Sequence, residues 1–193
     1  MRRLSLLFGV APVLAVALAG CAGGDGRELR DPGPTTTDPF AGEMLDGGSD
    51  PLTLSAPGVA DDGTIDPRHT CRGEDISPEL SWSGGPEDVA SWAVVAVSGA
   101  GDVQWIVVNL SPETRYLAAG ETDPLAVIGE NSDGRIGWTG PCPDPGETAE
   151  WSVTVFAVSQ VLEAQEGDPA DSLYTAVTSA ALESSGIVIS APG

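Results

Sequence analysis

Two apolar runs constrain this chain more than any other feature. Ser91 to Val97 reads SWAVVAV and Val103 to Leu110 reads VQWIVVNL, with only Ser98-Gly-Ala-Gly-Asp102 between them. Neither run alternates polar with apolar residues, so each suits a strand buried on both faces or a short helix. The β-branched content and the flanking Gly and Ser favour strands. Trp151 to Val158 (WSVTVFAV) predicts a third strand. Leu52-Thr-Leu-Ser and Leu80-Ser-Trp-Ser alternate, as half-buried strands do, and Ile187 to Ser190 predicts a last one. The one convincing helix lies between Pro169 and Ser184, with Asp168 as its cap and Leu173, Ala176, Val177, Ala180 and Ala181 on one face. A second short helix is expected around Ser159 to Gln165. The pattern is that of a mainly β domain with short C-terminal helices.

Asn131 to Pro143, NSDGRIGWTGPCP, breaks that pattern. Its glycines supply positive φ or close backbone approach, and its prolines fix φ and remove donors. Trp138 gives it something to bury and Cys142 something to pin it with. A special loop placed just before a strand is either a rigid connector or a binding element.

The chain begins with Arg2 and Arg3, an apolar run from Leu4 to Ala19, and Leu18-Ala-Gly-Cys21. These are the three parts of an export signal. The run is short for a membrane-spanning helix, which needs about twenty apolar residues. Cys21 directly after Leu-Ala-Gly resembles the lipobox of prokaryotic lipoproteins, in which the signal, residues 1–20, is removed and Cys21 is acylated. Residues 21–50 are rich in Gly, Pro, Thr and Asp and read as a flexible tether that buries too little apolar surface to fold. Met44 and Leu45 are its only neighbouring large apolar residues. Residues 51–193 are then one domain of ordinary size.

The chain has 29 acidic residues, 8 arginines and no lysine, a formal charge of −21. Removing residues 1–20 takes away Arg2 and Arg3 and no carboxylate, which leaves −23. Nucleic-acid binding needs a basic footprint, and the sequence has none. Anionic lipid would repel this surface, so membrane attachment rests on the Cys21 lipid alone. Cys71 and Cys142 are an even pair in an exported chain, where disulfides persist. A bond between them would be worth roughly 4 kcal/mol in the chain-entropy model. Two free buried thiols are the other reading. With His69 the only histidine, the sequence offers no metal-ligand spacing. It has no Gly-x-Ser-x-Gly elbow, no Ser-x-x-Lys and no cofactor motif, so no catalysis and no cofactor are expected.

Gly63 to Trp82 reads GTIDPRHTCRGEDISPELSW. It resembles the opening of the phosphatidylethanolamine-binding protein family, in its bacterial Raf-kinase-inhibitor-like branch, through Gly73, Asp75, Ile76, Ser77, Pro78, Leu80 and Trp82. Asn131 to Pro143 is similar to that family's Asn-Asp-x-Gly…Gly-Tyr-x-Gly-Pro-Cys-Pro loop, with Trp138 for the Tyr. Trp151 to Val158 is similar to its Tyr-x-Phe-x-Val-Tyr-Ala-Leu strand. The two cysteines sit where that branch carries its own. The resemblance implies a two-sheet antiparallel β-sandwich with a small anion pocket at one end.

The chain departs from the family at that pocket. The family's Asp-Pro-Asp-x-Pro segment is replaced by Ser98-Gly-Ala-Gly-Asp102, its His-Trp pair by Gln104-Trp105, and its later His by Ala149. Gln104 can donate a hydrogen bond but carries no charge, and Ala149 donates nothing, so anions should bind weakly or not at all. The resemblance places a ligand pocket at Asp102, Gln104, Trp105, Trp138, Gly140 and Pro141. Trp82 and Trp92 read as core; Trp138 reads equally as core or as ligand contact. His69 reads as an exposed or capping residue at the family's Tyr position. The expected protein is an exported, lipid-anchored monomer on the extracytoplasmic side of a cell membrane. It binds a small ligand or lipid headgroup without catalysis. The alternative is a module that engages or inhibits another envelope protein, with the pocket inert.

Overall fold

The structure is a computed structural model and describes residues 50–193. The expected signal, Cys21 and the tether up to residue 49 lie outside the described residues. The strands are β1 (Thr53–Ser55), β2 (Leu80–Ser83), β3 (Ser91–Ser98), β4 (Val103–Leu110), β5 (Tyr116–Leu117), β6 (Val127–Ile128), β7 (Thr148–Val158) and β8 (Ala181–Pro192), with one α-helix, α1 (Ala170–Ala180), before β8. They form two antiparallel sheets, ordered β1-β2-β5 and β6-β4-β3-β7-β8.

The apolar runs are explained by what covers the larger sheet. One face of β3 sends Trp92, Val94 and Ala96 into the core between the two sheets. Its other face sends Ala93 and Val95 against Leu173 and Val177 of α1. A strand covered on both faces has no solvent side, so its sequence does not alternate. β4 changes faces through two irregularities opposite β3. Leu110 and Val107 pair with Trp92 and Val94, which leaves one extra residue on β4, where Asn109 has φ 60°. Trp105 and Val103 pair with Ala96 and Val97, which makes Gln104 the second extra residue. Such bulges re-aim side chains at sheet ends.

The sheets are tied along one edge. The N–H groups of Leu52, just before β1, and Leu54, in β1, donate to Glu183 Oε1 (2.8 Å) and Ser185 Oγ (3.1 Å) of β8. β1 is thereby closed by side chains where another strand could have paired.

Four expectations need correcting. The helix ends at Ala180, not Ser184, because residues from Ala181 onward ladder with β7 from Val158 back to Thr148. The last strand is therefore much longer than Ile187 to Ser190. Asp168 does not cap the helix, since its Oδ2 accepts the Gln165 N–H at 2.8 Å and the capping position is Pro169, without a side-chain bond. Ser159 to Gln165 is irregular: Asn109 Oδ1 takes the Leu162 N–H (2.8 Å) and Ser91 Oγ donates to the Gln160 carbonyl (2.8 Å), so core side chains claim this backbone.

The chain enters at Asp50, whose carbonyl accepts the Gly85 N–H at 2.7 Å, at the end of the sandwich where Ser91 pairs with Val158. Gly193 lies at the other end, its N–H donating to the Glu147 carbonyl at 2.8 Å, just before β7. The loop Asn131 to Pro143 lies at this second end.

Candidate functional site

Asn131 builds the loop from inside. It is buried, and its Oδ1 accepts the N–H groups of Asp133 and Arg135, both at 3.0 Å. Its Nδ2 donates to Thr139 Oγ1 (2.7 Å), the Gln104 carbonyl (3.1 Å) and the Gly137 carbonyl (3.2 Å). One amide thus fixes both ends of the glycine-rich turn and attaches it to β4. Full use of a buried polar group is what makes such a loop rigid.

A second set of contacts ties the loop to the segment before β2. Asp75 has φ 54°, a left-handed backbone that Asp tolerates better than most residues. Its Oδ1 accepts the Gly140 N–H at 2.7 Å and its Oδ2 accepts from Arg135 Nη1 at 3.0 Å. Trp138 Nε1 donates to the His69 carbonyl at 3.0 Å. Cys71 and Cys142 are disulfide-bonded, with Cα atoms 5.3 Å apart, and the Cys71 N–H reaches the Pro141 carbonyl at 3.3 Å. Arg72 donates to the Pro143 carbonyl.

His69 is buried, not exposed; its Nδ1 donates to the Ile76 carbonyl at 3.0 Å and its ring fills the space beside Gly58. It closes the turn around Asp75 from beneath.

All five tryptophans are buried. Trp82 and Trp92 pack together between the sheets, 6.0 Å apart. Trp105, Trp138 and Trp151 form a row at the loop end, Trp138 lying 5.6 Å from Trp105 and 5.5 Å from Trp151. Trp138 and Trp105 also form one wall of a cleft of about 180 Å³, whose other lining includes Asp75, Ser77, Thr122 and Ile128. Trp138 is thus both core and cleft wall.

The remaining expected residues, Asp102, Gln104, Gly140 and Pro141, do not line that cleft. Gln104 is buried on the β4 bulge, and its Oε1 has no hydrogen-bond partner among the described residues. Gly140 and Pro141 are buried on the loop. Asp102 is exposed on the β3–β4 turn, its N–H donating to Ser98 Oγ at 3.1 Å. Ala149 is half-buried and packs on the core between the sheets. Asp75 and Asn131, which hold the site together, stood in the sequence motifs without any sign of that role, because their partners lie on other segments. Among the described residues, no group of three or more His, Cys, Asp or Glu could hold a metal ion.

Three donors of the loop are already engaged. The Gly140 N–H is taken by Asp75, the Thr139 N–H points to the Gln104 carbonyl (3.4 Å), and Arg135 is paired with Asp75.

Residues 55–190 match the family described as phosphatidylethanolamine-binding protein. The chain belongs to the phosphatidylethanolamine-binding protein family. LppC of Mycobacterium tuberculosis, named provisionally as a lipoprotein, is 35% identical over 164 residues, which cover 80% of this chain and 79% of that one. A UPF0098 protein of Methanothermobacter thermautotrophicus is 31% identical over 125 residues, 60% of this chain and 82% of its own. The crystal structure of the family homologue CT736 from Chlamydia trachomatis aligns with TM-score 0.66 at 27% identity, covering 72% of this chain and 96% of that one. Escherichia coli YbcL, at 21% identity and TM-score 0.69 over 75% of this chain and 99% of its own, shares the fold.

Proposed function

We propose that this protein is an exported lipoprotein, anchored through acylated Cys21, whose domain holds a small ligand or lipid headgroup without catalysis. The ligand lies against Gln104, Trp105, Trp138, Gly140, Pro141 and Asp102, on the extracytoplasmic side of the cell membrane. The observation that carries this reading is Gln104 Oε1, a buried acceptor without a partner among the described residues, one residue before Trp105, which walls the cleft. A buried acceptor left unsatisfied costs about 1–3 kcal/mol, and a ligand donor recovers it. The LppC relative supports the anchor. The committed loop donors support a ligand that is neutral or cationic, with anions bound weakly.

The test uses the chain from residue 21 with Cys21→Ser, titrated with phosphate, acetate and glycerophosphoethanolamine and followed by tryptophan emission. Saturable change with glycerophosphoethanolamine but not with phosphate or acetate is expected. A flat response to all three favours the second reading, an envelope interaction or inhibitor module with an inert pocket. In cells, Cys21→Ser is expected to move the protein out of the membrane fraction; retention there would refute the anchor. Gln104→His combined with Ala149→His is expected to create phosphate affinity.

A further inference from the structure

The three-stranded sheet has two edges, and they are treated differently. At β1 the outward N–H groups of Leu52 and Leu54 are bonded by Glu183 and Ser185. At β5 no such cover is present among the described residues. The Trp82 N–H donates to the Arg115 carbonyl at 3.0 Å, and Leu80 stands opposite Leu117. In an antiparallel ladder, bonded and non-bonded pairs alternate. Ser81 and Tyr116 stand opposite each other between these two pairs and are the non-bonded kind. The N–H and the carbonyl of Tyr116 therefore both face away from β2, toward the open edge.

A cleft of about 270 Å³ lies along that edge, lined by Thr114, Tyr116, Leu117, Glu121, Thr122 and Asp123 among others. Thr122 also lines the tryptophan cleft, so the two meet there. The edge cleft is acidic. Glu121 is exposed and Asp123 is half-buried, with one oxygen on the Leu125 N–H. Glu79 and Glu121 lie close enough to the Tyr116 phenol to help raise its pKa, desolvation being the larger cause. The neighbouring cation, Arg115, is turned away: its guanidinium donates to the Pro112 and Thr114 carbonyls and lies over the Trp92 ring, 4.5 Å from its centroid. Tyr116, on the lining of the cleft, is about half exposed, which gives the edge apolar contact area as well as charge.

We propose that the open edge of β5 and its acidic cleft dock a basic extended segment of another protein. The segment pairs its main chain with the N–H and carbonyl of Tyr116 and sets Lys or Arg side chains against Glu79, Glu121 and Asp123. This is strand addition, in which the main chain supplies affinity and flanking side chains supply selectivity. A charge of −21 and the lack of lysine argue against a second copy of this chain as the occupant. Anionic lipid is excluded for the same reason. The inference does not depend on the ligand reading of Gln104 and survives if that fails.

The experiment uses the ¹⁵N-labelled chain from residue 21 with Cys21→Ser and two synthetic octapeptides, one of alternating Lys and Val and one of alternating Glu and Val. The Lys peptide is expected to shift the Tyr116 amide resonance saturably and to slow its hydrogen exchange, while the Glu peptide does neither. Glu121→Lys combined with Asp123→Lys, both on a surface loop, is expected to weaken Lys-peptide binding about tenfold or more, as removal of facing charge does. Three results overturn the proposal: no saturable shift, shifts spread over the acidic surface with Tyr116 unmoved, or equal affinity in the charge-reversed variant.

Discussion

Asp75 reaches across 65 residues of sequence to hold Gly140, its Oδ1 accepting the Gly140 N–H at 2.7 Å while Oδ2 faces Arg135. The carboxylate sits on a left-handed backbone at φ 54°, and that conformation aims it at the loop. Asp75→Ala leaves the buried Gly140 N–H without a partner and is expected to cost about 1–3 kcal/mol in urea unfolding. Asp75→Asn keeps an acceptor oxygen and tolerates the same φ, so it loses only the exposed ion pair, worth about 0–1 kcal/mol. Equal losses in the two variants would refute this division of roles.

Gly140 cannot carry a side chain where it stands. A Cβ there overlaps the His69 carbonyl oxygen and comes within 2.9 Å of the Thr70 Cα and 3.0 Å of Asp75 Oδ1. Gly140→Ala must shift backbone, and is expected to cost about 1–3 kcal/mol. It should also shift tryptophan emission to the red, because Trp138 loses its seat on the His69 carbonyl. A full-strength variant with parental emission would sink this reading.

The Cys71–Cys142 bond is one of several fastenings on the same loop. Its reduction is expected to lower the urea midpoint, by up to about 4 kcal/mol in free energy for a separation of 71 residues. Tryptophan emission without urea should stay as it is in the oxidised protein, because Asp75, Asn131 and the Trp138 bond remain. Loss of native emission on reduction alone would show that the other fastenings do not suffice.

Gln104 is expected to be a costly residue for stability. Its Oε1 is buried without a partner, so Gln104→Leu removes an unmet acceptor and keeps the volume. Thermal unfolding should show no change or a gain of up to about 1 kcal/mol. A loss above that range would mean that the amide makes bonds in solution that satisfy it.

The Tyr116 phenol is held above its ordinary pKa of 10.0, first by desolvation and then by Glu79 and Glu121. The unfolded chain therefore ionises this group before the folded one does, and stability falls as pH rises past 10.0. In a Tyr174→Phe background, absorbance reports Tyr116 alone, with a midpoint above 10.0. Adding Glu79→Gln should move that midpoint down part of the way. No movement would place Glu79 away from the phenol.

Legibility followed how local each signal was. The runs Ser91 to Val97 and Val103 to Leu110 announced their strands because the larger sheet is covered on both faces, by the second sheet and by α1. The stretch from Ala181 to Ser184 did not, because Ala181 continues the helical pattern of Ala176 and Ala180 and only the ladder to β7 makes it a strand. β5 and β6, two residues each, carry no periodicity to read. At the site, the glycines, Trp138 and the cysteines marked the loop. Its staples were hidden, since Asp75 acts on Gly140 and Arg135 and His69 accepts from Trp138 across gaps that no sequence window spans.

Asp50 and Gly193 lie at opposite ends of the sandwich, separated by the length of β7, about 30 Å at the usual rise per residue. Whatever is joined at Asp50, a surface, a bead or a fusion partner, attaches at the end of the sandwich away from the pinned loop. A tag placed after Gly193 would emerge beside Glu147 and crowd the pinned loop instead.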